Sequence, residues 1–199
     1  RLADLGLLGA DFIAVHMTQM EWPDIDLIAK HGVHVAHCAE SNLKLASGFC
    51  PVMDLLGAGV NVAIGTDGAA SNNDLDMLGE MRSAALLAKG MARDPRALPA
   101  AQVLTMATLN SARALGMDQM IGSLLKDKQA DLIAIDLNRP ETQPVYDPIA
   151  QIVYSADRSQ ITNVWVAGRQ LLRERELLTV NEAEALARAE EWAVKIRSG

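Results

Sequence analysis

The sequence predicts an α/β protein in which parallel strands alternate with helices. Three apolar runs, residues 11–16, 33–38 and 60–64, carry this prediction, because their β-branched side chains favour buried strands. Segments with helical spacing follow the first two runs, at 24–30 and 51–56. The strands are expected to start near residues 12, 33 and 60, which are 21 and 27 residues apart, and this spacing suits β–α units joined by short loops.

A polar side chain stands where each predicted strand ends. His16 ends the first run, His37 lies at the end of the second and Asn42 just after it, and Asp67 follows the third within a Gly-Thr-Asp-Gly turn. In a (β/α)8 barrel the carboxyl ends of the strands converge on one active site. The repeat therefore predicts that His16, Asp67 and either His37 or Asn42 occupy equivalent positions around one site.

Two longer helices are predicted after the third strand. Residues 74–89 have helical spacing, with Asn73 or Asp74 as the cap and Gly90 as the stop. A second helix is predicted over 99–115, where Pro99 suits the first turn. Helices of this kind pack on the outside of a barrel.

The last third of the chain has a different pattern. Residues 131–137 predict a short strand, and 161–172 predict a hairpin that turns at Ala167 and Gly168. A terminal helix is predicted over 181–197, with Asn181 as its cap.

Composition excludes some classes of function. The 199 residues carry a net charge of −7 with both signs interspersed, which argues against nucleic-acid binding. No apolar run reaches 18 residues, so no membrane span is expected. The chain has two cysteines, Cys38 and Cys50, which indicates a reducing cytoplasm rather than a disulfide scaffold.

Two motifs, residues 41–48 and 65–74, closely resemble the amidohydrolase superfamily. Within it they are most similar to the adenosine-type deaminases that act on 5′-methylthioadenosine and S-adenosylhomocysteine, which are related to the triazine chlorohydrolases. The resemblance implies that residues 1–118 are the C-terminal part of a metal-dependent TIM barrel, with strands six to eight and closing helices. It implies that residues 119–199 are part of a small β-sandwich with a C-terminal helix.

The resemblance also implies an incomplete metal site. The family's ligands are an N-terminal His-x-His pair, a fifth-strand His and an eighth-strand Asp, of which only the Asp has a counterpart, Asp67. A family Glu that contacts the heterocycle would precede residue 1. We therefore expect a C-terminal portion of a longer enzyme, inactive alone, whose partners are the missing N-terminal barrel half and further copies of itself. The expected metal is zinc.

The resemblance assigns roles to four residues. Asp67 is expected to bind the metal and act as general base, and His16 to orient the hydrolytic water. Asp67, Ser71 and Asn72 are expected to bind the substrate. From the residues alone, Asp67 could instead be a turn or cap residue, His16 a buried strand-end histidine, and 71–74 a cap for the next helix.

Four other polar residues are expected to have structural roles. His37 and Asn42 are predicted to make structural hydrogen bonds, and Ser41 with Asn42 to shape a loop. His34 is predicted to be structural or solvent-facing.

The predicted function is metal-dependent hydrolytic deamination of a small nucleoside-type substrate. Two alternatives remain open. One is a triazine-type chlorohydrolase, or a guanine or other aminohydrolase. The other is a non-catalytic fragment or assembly module, since a lone Asp binds metal poorly and missing strands would expose apolar surface.

Overall fold

The computed structural model describes residues 1–198, and its first sheet contains three parallel strands. These are β1 (Ile13–Val15), β2 (His34–His37) and β3 (Val62–Ile64), in the order β1-β2-β3. Val35 lies opposite Ala14 on one side and Val62 on the other. Each strand lies within its predicted apolar run, so the parallel β–α arrangement is confirmed.

Helices follow each strand. In chain order they are α1 (Trp22–Lys30), α2 (Ala39–Lys44), α3 (Val52–Gly57), α4 (Ala69–Asn72), α5 (Met77–Ala92), α6 (Ala100–Thr105), α7 (Ser111–Ala114) and α8 (Pro148–Tyr154). A π-helical turn, Met106–Asn110, joins α6 to α7. The predicted helix over 99–115 is thus helical throughout, with Pro99 just before its first turn.

The core around this sheet is aliphatic. Val35 and Val62 on the strands are fully buried, as are Leu55 on α3 and Val103 on α6. Burial of such side chains is the main favourable contribution to folding. The low aromatic content of the sequence therefore reflects a core built from branched aliphatic residues.

The predicted limits of α5 were wrong at both ends. Asp76 caps the helix, because its carboxylate accepts a hydrogen bond from the Leu78 amide at 2.9 Å. Asn73 has φ of 82° and ends α4 instead, so neither it nor Asp74 can begin α5. The helix passes through Gly90 and ends at Arg93, which takes the left-handed conformation.

Two short helices occupy segments that the sequence predicted as loops. They are α2 and α4, and each begins within a few residues of the end of a strand. Serine and asparagine favour turns over helices. Here their side chains bond to distant residues, Ser41 to Asp67 and Asn72 to Glu80, so tertiary contacts stabilise the helical turns.

Contacts divide the described chain into two units. The first holds residues 1–128 and 137–158, and the second holds 129–136 and 159–198. The predicted boundary at residue 118 does not coincide with this division, since 119–128 and 137–158 lie in the first unit.

The second unit is an antiparallel sheet followed by a helix. Its strands are β4 (Leu132–Ile135), β5 (Ile161–Val166), β6 (Arg169–Arg173) and β7 (Glu176–Leu177), in that order, and the helix is α9 (Glu182–Ser198). The predicted strand, hairpin and terminal helix are confirmed. The hairpin turns at Ala167 and Gly168, both with positive φ, and Asn181 accepts a hydrogen bond from the Glu184 amide at 3.2 Å.

Within residues 1–198, no helix combines the length and apolar character that a bilayer span requires.

Burial of His37 makes the stability of the fold depend on pH. Its side chain is 1 % exposed and its Nδ1 has no hydrogen-bond partner. Burial, and secondarily the charge of His16, lowers the pKa of His37 to about 4. The unfolded chain therefore binds more protons than the folded chain between pH 6.5 and 4, and stability falls as the pH drops through that range.

We expect His37→Leu to reduce the loss of stability between pH 6.5 and 4. The free energy of unfolding of the unsubstituted chain should fall by up to about 3 kcal/mol between pH 7 and 4 through this residue, and the variant should lose that component. Urea unfolding at several pH values measures it. His31→Leu, at the partly exposed end of α1, is the matched control, and an unchanged pH slope in His37→Leu would contradict the prediction.

Candidate active site

The site lies where the three parallel strands end. Backbone pairing continues past the strands, because the His16 amide donates to the Ala36 carbonyl at 3.0 Å and the Gly65 amide to the His37 carbonyl at 3.1 Å. These bonds fix the segments that follow β1, β2 and β3 side by side. The structure therefore brings His16, α2 and Asp67 to one edge of the sheet, as the strand-end pattern predicted.

Three hydrogen bonds hold the Asp67 carboxylate. Oδ2 accepts from the hydroxyls of Ser41 and Ser71, each at 2.7 Å, and Oδ1 accepts from the Gly68 amide at 2.7 Å. Donors at this distance favour the ionised form. The bonds from Ser41, Ser71 and Gly68 accordingly lower the pKa of Asp67 to about 2, with a smaller contribution from His16.

His16 lies beside this carboxylate. Its Nδ1 is 2.9 Å from Oδ1 of the buried Asn42, and because an amide oxygen only accepts, Nδ1 donates. Its Nε2 lies 3.7 Å from Oδ2 of Asp67, which is too long for a direct hydrogen bond but leaves both groups within reach of one water. The side chains are 41 % and 32 % exposed, so a small molecule can reach both.

The backbone is strained at both residues. His16 has φ of 70°, Met17 of 46° and Asp67 of 64°. Non-glycine residues in this left-handed region cost of order 1–3 kcal/mol each, and they concentrate at active sites and ligand clamps. The two predicted catalytic residues therefore share a backbone conformation that is uncommon for residues other than glycine.

The two residues predicted to bind substrate with Asp67 differ in placement. Ser71 bonds directly to the Asp67 carboxylate. Asn72 is 8 % exposed; its Nδ2 donates to Glu80 at 2.8 Å and its Oδ1 accepts from the Leu75 amide at 2.6 Å. The structure therefore brings Ser71, but not Asn72, to Asp67.

Sequence reasoning missed the part that Ser41 plays. A loop-shaping role was predicted for it, whereas its hydroxyl is a donor to Asp67. The available signal was its position, since a hydroxyl side chain four residues after His37 stands at the end of a neighbouring strand.

The residues with predicted structural roles also have defined positions. Asn42 makes the predicted structural bond, to His16. Nδ1 of His34 lies 3.0 Å from Nδ2 of Asn61. His34 is at the start of β2, at the end of the strand away from Asp67. His37 lines a cavity of about 200 Å³ beside α3 and α5. Of the two residues that the pattern left open, Asn42 is the one hydrogen-bonded to His16.

A metal ion would find only part of a site here. A zinc site uses at least three protein ligands. Within residues 1–198 no group of three or more His, Cys, Asp or Glu side chains is arranged to hold a metal. Asp67 and His16 by themselves therefore do not fit a complete zinc site, although the Asp67 carboxylate is a suitable single ligand.

Parallel β–α units with a carboxylate and an imidazole at the strand ends are typical of α/β enzymes, and comparison with known proteins identifies the family. Residues 1–171 match the amidohydrolase family. The chain belongs to the amidohydrolase family, which confirms the resemblance drawn from residues 41–48 and 65–74.

Several curated relatives are similar over nearly the whole chain. A 5-methylthioadenosine/S-adenosylhomocysteine deaminase from Teredinibacter turnerae is 51 % identical over 196 residues, which are 98 % of this chain and 44 % of the relative. A protein of the same name from Moorella thermoacetica is 51 % identical over 183 residues, covering 92 % and 43 %. The chain thus spans less than half the length of these relatives.

Solved structures agree with this placement. An adenosine deaminase from Xanthomonas campestris with bound zinc superposes with a TM-score of 0.97 at 53 % identity, covering all of this chain and 45 % of that one. An atrazine chlorohydrolase from Arthrobacter aurescens complexed with zinc superposes at 0.88 and 27 % identity, covering 96 % and 42 %. Both α/β structures contain the fold described above.

Removing one donor should change the acidity of Asp67 measurably. We expect Ser41→Ala to raise the pKa of Asp67 from about 2 toward its ordinary value of 3.8, because one of the hydrogen bonds to the ionised form is lost. Carboxyl-carbon NMR titration measures the change. Thr105→Ala, which removes a hydroxyl bonded to the Ala101 carbonyl on α6 instead, is the control. An unmoved titration in Ser41→Ala would show that Ser41 does not hold this carboxylate.

Proposed function

We propose that this chain is part of a zinc-dependent deaminase that hydrolyses the 6-amino group of 5′-methylthioadenosine or S-adenosylhomocysteine. One observation supports it above the others: the ionised Asp67, held by two serines, faces His16 across 3.7 Å at the strand ends. The similarity to relatives with that name supports the substrate class. In this proposal β1 to β3 are the last strands of a barrel and the second unit is part of a β-sandwich.

The incomplete set of metal ligands fits this proposal only if other ligands come from outside the chain. We propose that the complementary part of the barrel supplies them and the acid that protonates the ring. Zinc, when bound, would lower the pKa of water toward neutrality. Assembly with further copies of the chain and a cytoplasmic location stay predictions.

The chain's own residues then have distinct roles in the hydrolysis. His16 Nε2 and the Asp67 carboxylate hold one water between them, with Asn42 fixing the imidazole through Nδ1. As the water oxygen attacks C6, its proton passes to Asp67. The C–O bond forms, the C6–N bond breaks, and the proton leaves with the departing ammonia.

Asp67 must become a stronger base for this step. A carboxylate with a pKa of about 2 accepts a proton poorly. The Ser71 hydroxyl has a second acceptor, the Gly68 carbonyl at 3.1 Å. We propose that rotation of this hydroxyl toward Gly68, or toward the substrate, removes one of the two hydrogen bonds to Oδ2 and so raises the basicity of Asp67 when substrate binds.

A reconstituted enzyme tests the proposal. The chain would replace the matched segment of the Teredinibacter turnerae relative, and ammonia release from 5′-methylthioadenosine, S-adenosylhomocysteine, adenosine and guanine would be measured beside chloride release from atrazine. We expect activity on the first two compounds. Chloride release alone would support the chlorohydrolase alternative that the similarity at 27 % identity leaves open. No turnover of any compound would contradict a catalytic role.

Two substitutions in this chimera test the assigned residues. Asp67→Asn and His16→Gln should each lower kcat by about 10²–10⁴-fold, because each removes a group that handles the water or its proton. Asp94→Asn, which alters an exposed carboxylate paired with Arg96, is the matched control. Near-normal kcat in either site variant would refute the role assigned to that residue.

A further inference from the structure

A second carboxyl cluster lies behind the site and is not explained by the proposed chemistry. Glu80, on α5, has no exposed surface although it carries an ionisable group. Burial raises the pKa of its carboxyl to about 7, with the Glu40 amide acting in the opposite direction and the Glu40 carboxylate adding to the rise. A buried carboxyl is costly unless its hydrogen bonds are satisfied, so its contacts indicate what it does.

The Glu80 carboxyl bonds to two different helices. Its Oε2 accepts from the Glu40 amide at 3.3 Å, at the start of α2. Its Oε1 accepts from Nδ2 of Asn72 at 2.8 Å, at the end of α4. These two short helices carry the hydroxyls of Ser41 and Ser71, which both bond to Oδ2 of Asp67.

Short helices of this kind have little stability of their own. With six and four residues, α2 and α4 are far below the length at which isolated helices persist. Their relative position must come from tertiary bonds, and Glu80 makes one to each. We infer that Glu80 is a positioning residue, which joins α2 to α4 so that both serine hydroxyls reach the Asp67 carboxylate.

Neighbouring residues add further contacts around Glu40 and Glu80. The Ser83 hydroxyl donates to Oε1 of Glu40 at 2.8 Å, and Asn72 Nδ2 lies 3.4 Å from Oε2 of Glu40. A Cβ at Gly79 would lie 3.2 Å from Glu40 Oε1, so the glycine leaves room for this side chain. The carboxyl of Glu80 accepts on both oxygens, whereas glutamine in its place would offer one acceptor and an NH₂ group. Glu80→Gln should therefore break one of the two links at nearly constant volume.

The inference rests on the proposed function where activity is the readout. In the chimera we expect Glu80→Gln to lower kcat by about 10–100-fold, the usual effect of removing a supporting partner of a site carboxylate. KM should change by less than about threefold, because Glu80 does not face the substrate. Met81→Ala, a cavity-forming change at the next residue of α5, should lower Tm and leave kcat of the folded enzyme unchanged.

A second readout separates failure of this inference from failure of the proposed function. The Gly68 amide donates to Oδ1 of Asp67 at 2.7 Å, so its proton resonance reports the carboxylate position in [15N]glycine-labelled protein without any turnover. We expect the resonance to move in Glu80→Gln and to stay in Met81→Ala. If the unsubstituted chimera does not deaminate, the proposed function fails, and the amide proton resonance of Gly68 alone tests the inference.

Asn72→Ala keeps the test decisive if Glu80→Gln does not fold. It removes the link from Glu80 to α4, together with the contacts of Asn72 to Leu75 and Glu40, and keeps the bond from the Glu40 amide to Glu80. The Gly68 resonance should move in the same direction. An unmoved resonance in the folded variants would overturn the inference, whatever happens to kcat. Unchanged kcat with a moved resonance would also overturn it, because the position of Asp67 would then not limit catalysis.

Discussion

The hydrogen bonds to Asp67 are the interaction on which the rest of the site depends. Ser41 follows β2, whereas Asp67 and Ser71 both follow β3, so the bond from Ser41 exists only while β2 and β3 keep their parallel register. The parallel sheet thus does more than provide a core. It places the carboxylate, the two hydroxyls and the His16 imidazole at one edge, where a water can meet them.

The same bonds impose a constraint on chemistry. They hold Asp67 ionised and oriented, yet a carboxylate this well satisfied is a weak base. The second acceptor available to the Ser71 hydroxyl offers a way to relax this conflict when substrate arrives. Positive φ at His16 and Asp67 shows that the fold also tolerates backbone strain there, which a loosely held loop would release.

Much of the fold was predictable because it follows from local patterns. The strands ending near His16 and Asp67 were read from apolar runs, and the hairpin from its turn at Ala167 and Gly168. The helices α2 and α4 were not, because their stability comes from partners such as Asp67 and Glu80. No local pattern shows that residues 26 apart share a hydrogen bond, as Ser41 and Asp67 do. The start of α5 was missed for a similar reason, since the positive φ of Asn73 is set by its surroundings.

The most direct test is a crystal structure of the zinc-loaded chimera. We expect an Asp67 oxygen about 2.0–2.2 Å from the zinc ion. We also expect the Ser41 hydroxyl to remain bonded to the carboxylate and His16 Nε2 to face the same side of Asp67 as the metal. A fully ligated zinc ion with Asp67 turned away from it, or a metal site remote from the ends of β1 and β3, would contradict the role of Asp67 as a metal ligand.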